Sequence, residues 1–135
     1  MNYVDPSAEG WAAFKDLPRD RPIHMLNFVR YRELAEYPAD HPCAQLGWSG
    51  KRAYQEYVER LTVFLAPLGA GMVWDSPFEC VVTGPEPFEW DKVFVMGFPD
   101  AKAFFAMITA PEYKADIVPH RSAAVLDSRL VRYGG

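Results

Sequence analysis

The chain has little of the equipment that most recognisable chemistries need. It carries two cysteines, Cys43 and Cys80, and three widely separated histidines, His24, His41 and His120. The only close soft pair is His41 with Cys43, so no zinc spacing arises and no metal site is expected. No disulfide is implied either. Cys80 falls inside a strand pattern and reads as a small buried hydrophobe, whereas Cys43 sits in a Pro-rich loop as an exposed thiol that reacts only where a neighbour lowers its pKa. There is no glycine-rich phosphate loop, because GAG at Gly69–Gly71 ends a helix where nucleotide motifs begin one. Basic charge is short as well. Fourteen Lys and Arg against eighteen Asp and Glu give a net charge of -4, which excludes an electrostatic case for nucleic acid. No apolar run approaches the roughly 20 residues that cross a bilayer, and the start MNYVDPSAEGW lacks the basic and apolar regions of a signal peptide. A cytoplasmic protein with no membrane partner is expected.

What is present is apolar and aromatic. Half the residues are hydrophobic and 15% aromatic, so the 135 residues are expected to fold as one domain, 1–135, with a sizeable core. Asp5, Pro6 and Ser7 open a short helix carrying Trp11, Phe14 and Leu17, which Pro18 and Pro22 end; the 1–21 segment reads as an added helical cover. Ile23–Tyr31 (IHMLNFVRY) is the candidate central strand, with His24, Leu26, Phe28 and Arg30 on one face and Ile23, Met25, Asn27, Val29 and Tyr31 on the other. Residues 33–48 show no period and form a long loop, a candidate lid. From Ser49, a serine cap, the residues Tyr54, Tyr57, Val58, Leu61, Leu65 and Leu68 follow helical spacing, and Gly69 stops the run. Tyr54 and Tyr57 read as core.

Gly71–Thr83 reads as a strand bent or interrupted at Ser76 and Pro77, joined through Gly84–Trp90 to a second strand, Val93–Phe98. Asp100 then caps a helix with Ala101, Phe104, Phe105 and Ile108 on its apolar face. Pro111 restarts the chain for a second short helix bearing Tyr113 and Ile117, with Pro119 as its end, and Val125–Tyr133 is the last strand. Once the first helix is set aside, the order βαββαβ remains. It specifies an α+β, ferredoxin-like split βαβ whose helices cover one face of a four-stranded antiparallel sheet. The strands stay apolar on both sides, so pairing two sheets in a homodimer, a dimeric α/β barrel, is the economical cover for the second face.

These residues resemble the family known as domain of unknown function 1330, within the dimeric α/β-barrel superfamily. The resemblance rests on PIHMLNFVRYRE at Pro22–Glu33, SGKRAYQEY at Ser49–Tyr57, GAGMVW at Gly69–Trp74, WDKVFVMGFPD at Trp90–Asp100, PEY at Pro111–Tyr113 and HRSAAVLDSRL at His120–Leu130. It implies a ferredoxin-like dimer and no established activity. The chain departs from shorter members by its Met1–Arg21 segment and its long 33–48 loop.

Among polar residues Asn27 stands out, because it interrupts an apolar strand and an unpaired buried amide costs about 1–3 kcal/mol. It needs a partner in a neighbouring loop, across a dimer, or in a ligand. Arg30, at the same strand's end, can clamp a carboxylate or lie solvated. His120 and Arg121 are placed where the last helix gives way to the last strand. They suit a general base with an anion holder, or equally cations at a helix C-terminus. Asp127 and Ser128 are the candidates to orient His120, but their spacing establishes no triad, because triads are recognised by geometry. Trp90, with Asp91, anchors the hairpin or roofs a cleft. No cofactor is expected; haem enters only by analogy of fold. Three readings stand open: a small cofactor-independent enzyme of the oxygenase or isomerase class, with His120 as base and Asn27 and Arg30 polarising the substrate; a module binding a small organic ligand without turnover; and a structural homodimer with a filled barrel.

Overall fold

The structure is a computed structural model describing Met1–Gly135. Its sheet is built around β1 (Ile23–Tyr31), which pairs antiparallel with β3 (Lys92–Phe98) on one side and β4 (Val125–Gly134) on the other; β2 (Gly71–Asp75) completes the order β2-β3-β1-β4. Register places Asn27 opposite Phe94 and Leu130, and Leu26 opposite Val95 and Val131. The period of two therefore divides the sheet as read from the sequence. Ile23, Met25, Val29, Phe94, Met96 and Phe98 are buried on one face, while Leu26, Phe28, Val93 and Val95 on the other are only half-buried.

Helices cover the first face alone. They are α2 (Gly50–Leu65), α3 (Ala101–Thr109) and α4 (Val118–Ala124), with α1 (Ala8–Asp16) added in front. Each cap is local chemistry: Ser49 Oγ accepts from the Arg52 amide at 3.0 Å, Ser7 Oγ from Gly10 at 3.0 Å, and Asp100 Oδ1 from Ala103 at 2.8 Å. A 3₁₀ turn at Ala66–Leu68 closes α2, and Gly69 follows in the left-handed region with φ 73°. The core lies between α2, α3, α4 and the sheet, with Tyr54, Leu65 and Val125 fully buried. One chain's sheet is open, with β2 and β4 as edges.

Three expectations are corrected. The first concerns β2, which ends at Asp75 and does not continue to Thr83; Pro77 has no N–H for a ladder, and residues 76–91 run on as a mostly exposed loop. Cys80, expected in a strand and buried, is exposed on that loop, and Cys43 is half-buried. Pro119, expected to end a helix, instead stands in the first turn of α4, where a missing N–H costs nothing. Before it, Tyr113–Ile117 form a single π-helical turn. His120 is consequently the third residue of α4 and not at its junction with β4.

The N-terminal segment laces the β4 edge to the helices. The Tyr3 amide donates to Asp127 Oδ1 at 2.8 Å, Ser128 Oγ donates to the Tyr3 carbonyl at 2.8 Å, and Arg132 donates to the Phe14 carbonyl while its guanidinium sits 4.7 Å above the Phe14 ring. Trp11 stacks on Phe105 with centroids 5.8 Å apart, and Phe14 meets Phe104 edge-on at 5.2 Å. No helix is long and apolar enough to cross a membrane.

Candidate functional site

A cavity of about 360 Å³ lies between the sheet and the helices, and thirteen of its seventeen lining residues are hydrophobic. Two of those thirteen are tyrosines, and their hydroxyls join two polar side chains, so that four polar groups come from four different elements. Asn27 is supplied by β1, Tyr57 by α2, Tyr113 by the π-helical turn and Arg121 by α4, while Asp5 of the N-terminal segment stands at the rim. Met25, Phe94 and Met96 make the floor, and Trp11 closes one wall. Rigid elements thus aim a few polar groups into an apolar space.

Asn27 has the partner its position demands, and it is a local one: Nδ2 donates to the carbonyl of Met25 two residues earlier, at 3.0 Å. Neither a loop nor a second chain is needed for this bond, and the amide oxygen is left for the cavity. The Tyr57 and Tyr113 hydroxyls are 3.1 Å apart. Burial pushes both phenols up from their ordinary value, well above it for Tyr57, although the nearby Arg121 charge opposes the shift. Both therefore stay neutral donors at physiological pH. Arg121 reaches Ser128 Oγ at 3.4 Å and Asp5 Oδ1 at 3.8 Å.

The remaining sequence candidates lie elsewhere. His120 lines no part of this cavity. Its ring is buried against the 33–48 loop, with Nδ1 2.7 Å from the Tyr37 hydroxyl and the rings of His41 and Trp48 alongside. Desolvation, followed by the positive charge of Arg60, holds its pKa below the usual histidine value, so the imidazole is neutral. Asp127 and Ser128 do not orient it; they bind Tyr3 and, through Asp127, Arg129 at 2.7 Å. Burial alone would raise the Asp127 pKa, but the Tyr3 amide and Arg129 outweigh it and hold it low. Arg30 stands on the helix-free face opposite Asp127. Trp90 packs against Phe28 at 5.7 Å beneath the Arg129 guanidinium at 5.0 Å. Beside it Asp91 ties the hairpin to β1, its amide donating to the Val29 carbonyl and its carboxylate accepting from the Tyr31 amide, both at 2.8 Å.

A wider groove of about 970 Å³ opens past Trp74, Phe78, Phe88 and Trp90. Part of its boundary is the exposed 76–91 loop, and its Lys92 and Asp75 neutralise each other in a 2.7 Å ion pair. The smaller cavity has the convergent polar groups and the rigid walls, which are the features of a ligand site. The 33–48 loop, the candidate lid, contributes nothing to that cavity; Asp5, Pro6 and Trp11 of the N-terminal segment roof it instead. From the sequence Tyr57 reads as core, Tyr113 only as a residue of the second short helix, and Asp5 as a helix opener. The available signal was the hydroxyl, since a buried tyrosine must find a partner for it.

No histidine, cysteine and carboxylate cluster of metal-binding size is present. No curated protein matches the chain. Among solved structures, the RPA0582 protein of unknown function from Rhodopseudomonas palustris is 38% identical over 100% of this chain and 98% of its own, with a TM-score of 0.86. The methylated RPA0582 protein is 39% identical over 99% and 95%, also at 0.86. A dimeric protein of unknown function and ferredoxin-like fold from Bacteroides fragilis, 12% identical over 87% of this chain and 100% of its own at a TM-score of 0.51, shares the fold. The sequence profile of the domain of unknown function DUF1330 matches residues 43–133. The element order, the antiparallel open sheet and these matches agree, and the chain belongs to the DUF1330 family with a ferredoxin-like fold.

Proposed function

We propose that the protein binds a small, largely apolar organic molecule in the cavity between the sheet and the helices, and that it does so as a homodimer. One observation carries the binding reading: an apolar space of about 360 Å³ into which Asn27, Tyr57, Tyr113 and Arg121 converge from four elements. That size and balance fit small-molecule sites, in which a few polar groups orient a mostly apolar ligand. A filled, purely structural interior would leave no such space. His120 lies outside the cavity, so this reading assigns it no proton transfer, and it calls on no cofactor. The homodimer is supported by the uncovered apolar face of the sheet and by the dimeric fold relative.

A thermal-shift screen of a fragment library tests the binding reading. A ligand at about 100 times its Kd adds roughly 2.7 kcal/mol, which is readily detected. Leu130→Trp, whose indole would enter the cavity from β4, should abolish the shift, Asn27→Ala should weaken it, and His120→Ala should leave it in place. Fragments that shift wild type and Leu130→Trp equally bind elsewhere, and that result would defeat the proposal.

A further inference from the structure

The cavity has one cation on its wall, and that cation is poorly paired. Arg121 offers five N–H donors in a planar fork, and its side chain is only 16% exposed. Against that capacity it makes one long bond, from Nη2 to Ser128 Oγ at 3.4 Å, and one ion pair with Asp5 Oδ1 at 3.8 Å, beyond hydrogen-bond length. Its other donors are not sealed inside protein, because the single buried side-chain nitrogen or oxygen without a partner in the whole chain is Arg32 Nε. Arg121 lines both the cavity and the adjoining groove beside Tyr3 and Ser128, and its remaining donors are accessible from these spaces. A partly desolvated guanidinium with free donors beside two neutral tyrosine hydroxyls is a receptor for an anion.

Asp5 stands where that anion would arrive. Its side chain is 79% exposed, and it belongs to a short span held at both ends, by the Tyr3 bonds to β4 and by the Ser7 cap of α1. It supplies a carboxylate from the chain itself at a distance too long to bind firmly. From this we infer that the site takes an apolar or aromatic carboxylate, whose carboxyl group displaces Asp5 from Arg121 while its body lies between Trp11 and the Phe94 and Met96 floor. The inference rests on the binding reading above and adds the charge of the ligand. A phosphate ester fits less well, since its second negative charge would enter an apolar space that contains no second cation. An amine would meet Arg121 with like charge.

Calorimetric titration of the full chain with 3-phenylpropionate and with the neutral 3-phenylpropionamide separates the two levels of the argument. The acid should bind at least about tenfold more tightly than the amide, the difference expected when a charge-assisted fork replaces a neutral bond. Arg121→Gln should bring the preference for the acid over the amide close to unity, the acid losing far more affinity than the amide. Asp5→Asn, a near-isosteric change at an exposed side chain, should tighten the acid several-fold by removing its competitor and alter the amide less. If acid and amide bind wild type equally and both are lost in Leu130→Trp, the carboxylate assignment is overturned while the cavity remains a binding site. If neither binds, the assignment falls. If, in addition, the fragment screen yields no molecule that Leu130→Trp excludes, the binding reading falls with it.

Discussion

His120 is buried and yet titratable, and its surroundings decide which protonation state the fold accepts. The Tyr37 hydroxyl sits 2.7 Å from Nδ1, and burial pushes the phenol up to about 12, so the pair consists of a neutral imidazole beside a neutral phenol. Desolvation and the Arg60 charge disfavour the imidazolium, as do His41 and Arg52, while Glu56 alone favours it. The folded pKa therefore lies below the value of 6.5 for an unhindered histidine. The unfolded chain takes up the proton first, so the stability due to this site is complete above about pH 6.5 and declines as the pH falls from there toward the folded pKa. Urea unfolding at about pH 7.5 and about pH 5.5 should show a loss in wild type that His120→Gln flattens. An unchanged difference in the variant would mean that the loss belongs to other groups. At this scale the sequence was only half legible. Its histidine and asparagine were conspicuous as types, but whether they share a wall depends on α4 beginning at Val118, which turns Arg121 and not His120 toward the cavity.

Among the elements, those whose ends carry their own chemistry were readable from sequence. Ser49 with Gly69, Asp100, and the alternation of Ile23–Tyr31 each encode a boundary or a face within a few residues. The errors occurred where a proline admits two readings. Pro119 can end one helix or begin the next, and Pro77 can bend a strand or terminate it; only the neighbouring element decides. Gly50 carries a constraint that no local pattern announces. A Cβ there would lie 2.0 Å from the Arg32 carbonyl oxygen, because the first turn of α2 is pressed against the exit of β1 where Gly50 donates to the Glu33 carbonyl. Backbone, not a mobile side chain, is the obstacle, so the contact cannot relax cheaply. Gly50→Ala should cost about 1–3 kcal/mol in chemical denaturation, as overpacking does, despite alanine's better helix propensity. A neutral or stabilising effect would show that the β1–α2 junction has slack.

On the scale of the whole molecule, the asymmetry of the sheet is the fact that remains to be explained. Helices bury Phe94, Met96 and Phe98, whereas Val93, Val95, Leu26 and Phe28 on the opposite face are left half-buried, with Val131 40% exposed and Val73 54% exposed beyond them. That apolarity was visible in the strands, and Ile23–Tyr31 read as a central strand is internal in the order β2-β3-β1-β4, between β3 and β4. The proposed dimer would cover this face and return its apolar area to a dry interface. Val95 is the position that separates an interface from a core. It pairs with Leu26 and Trp74 on the uncovered side and does not belong to the set of residues buried beneath the helices. A carboxylate at that position in a monomer would remain partly hydrated and cost little, whereas in a dimer it would be desolvated opposite an apolar surface and its own symmetry copy. Val95→Asp is therefore expected to convert the protein to a folded monomer, with unchanged far-ultraviolet circular dichroism and half the mass by light scattering. A wild-type monomer at micromolar concentration, or a variant that stays dimeric, would place the contact elsewhere and leave the apolar face of the sheet without the partner assigned to it.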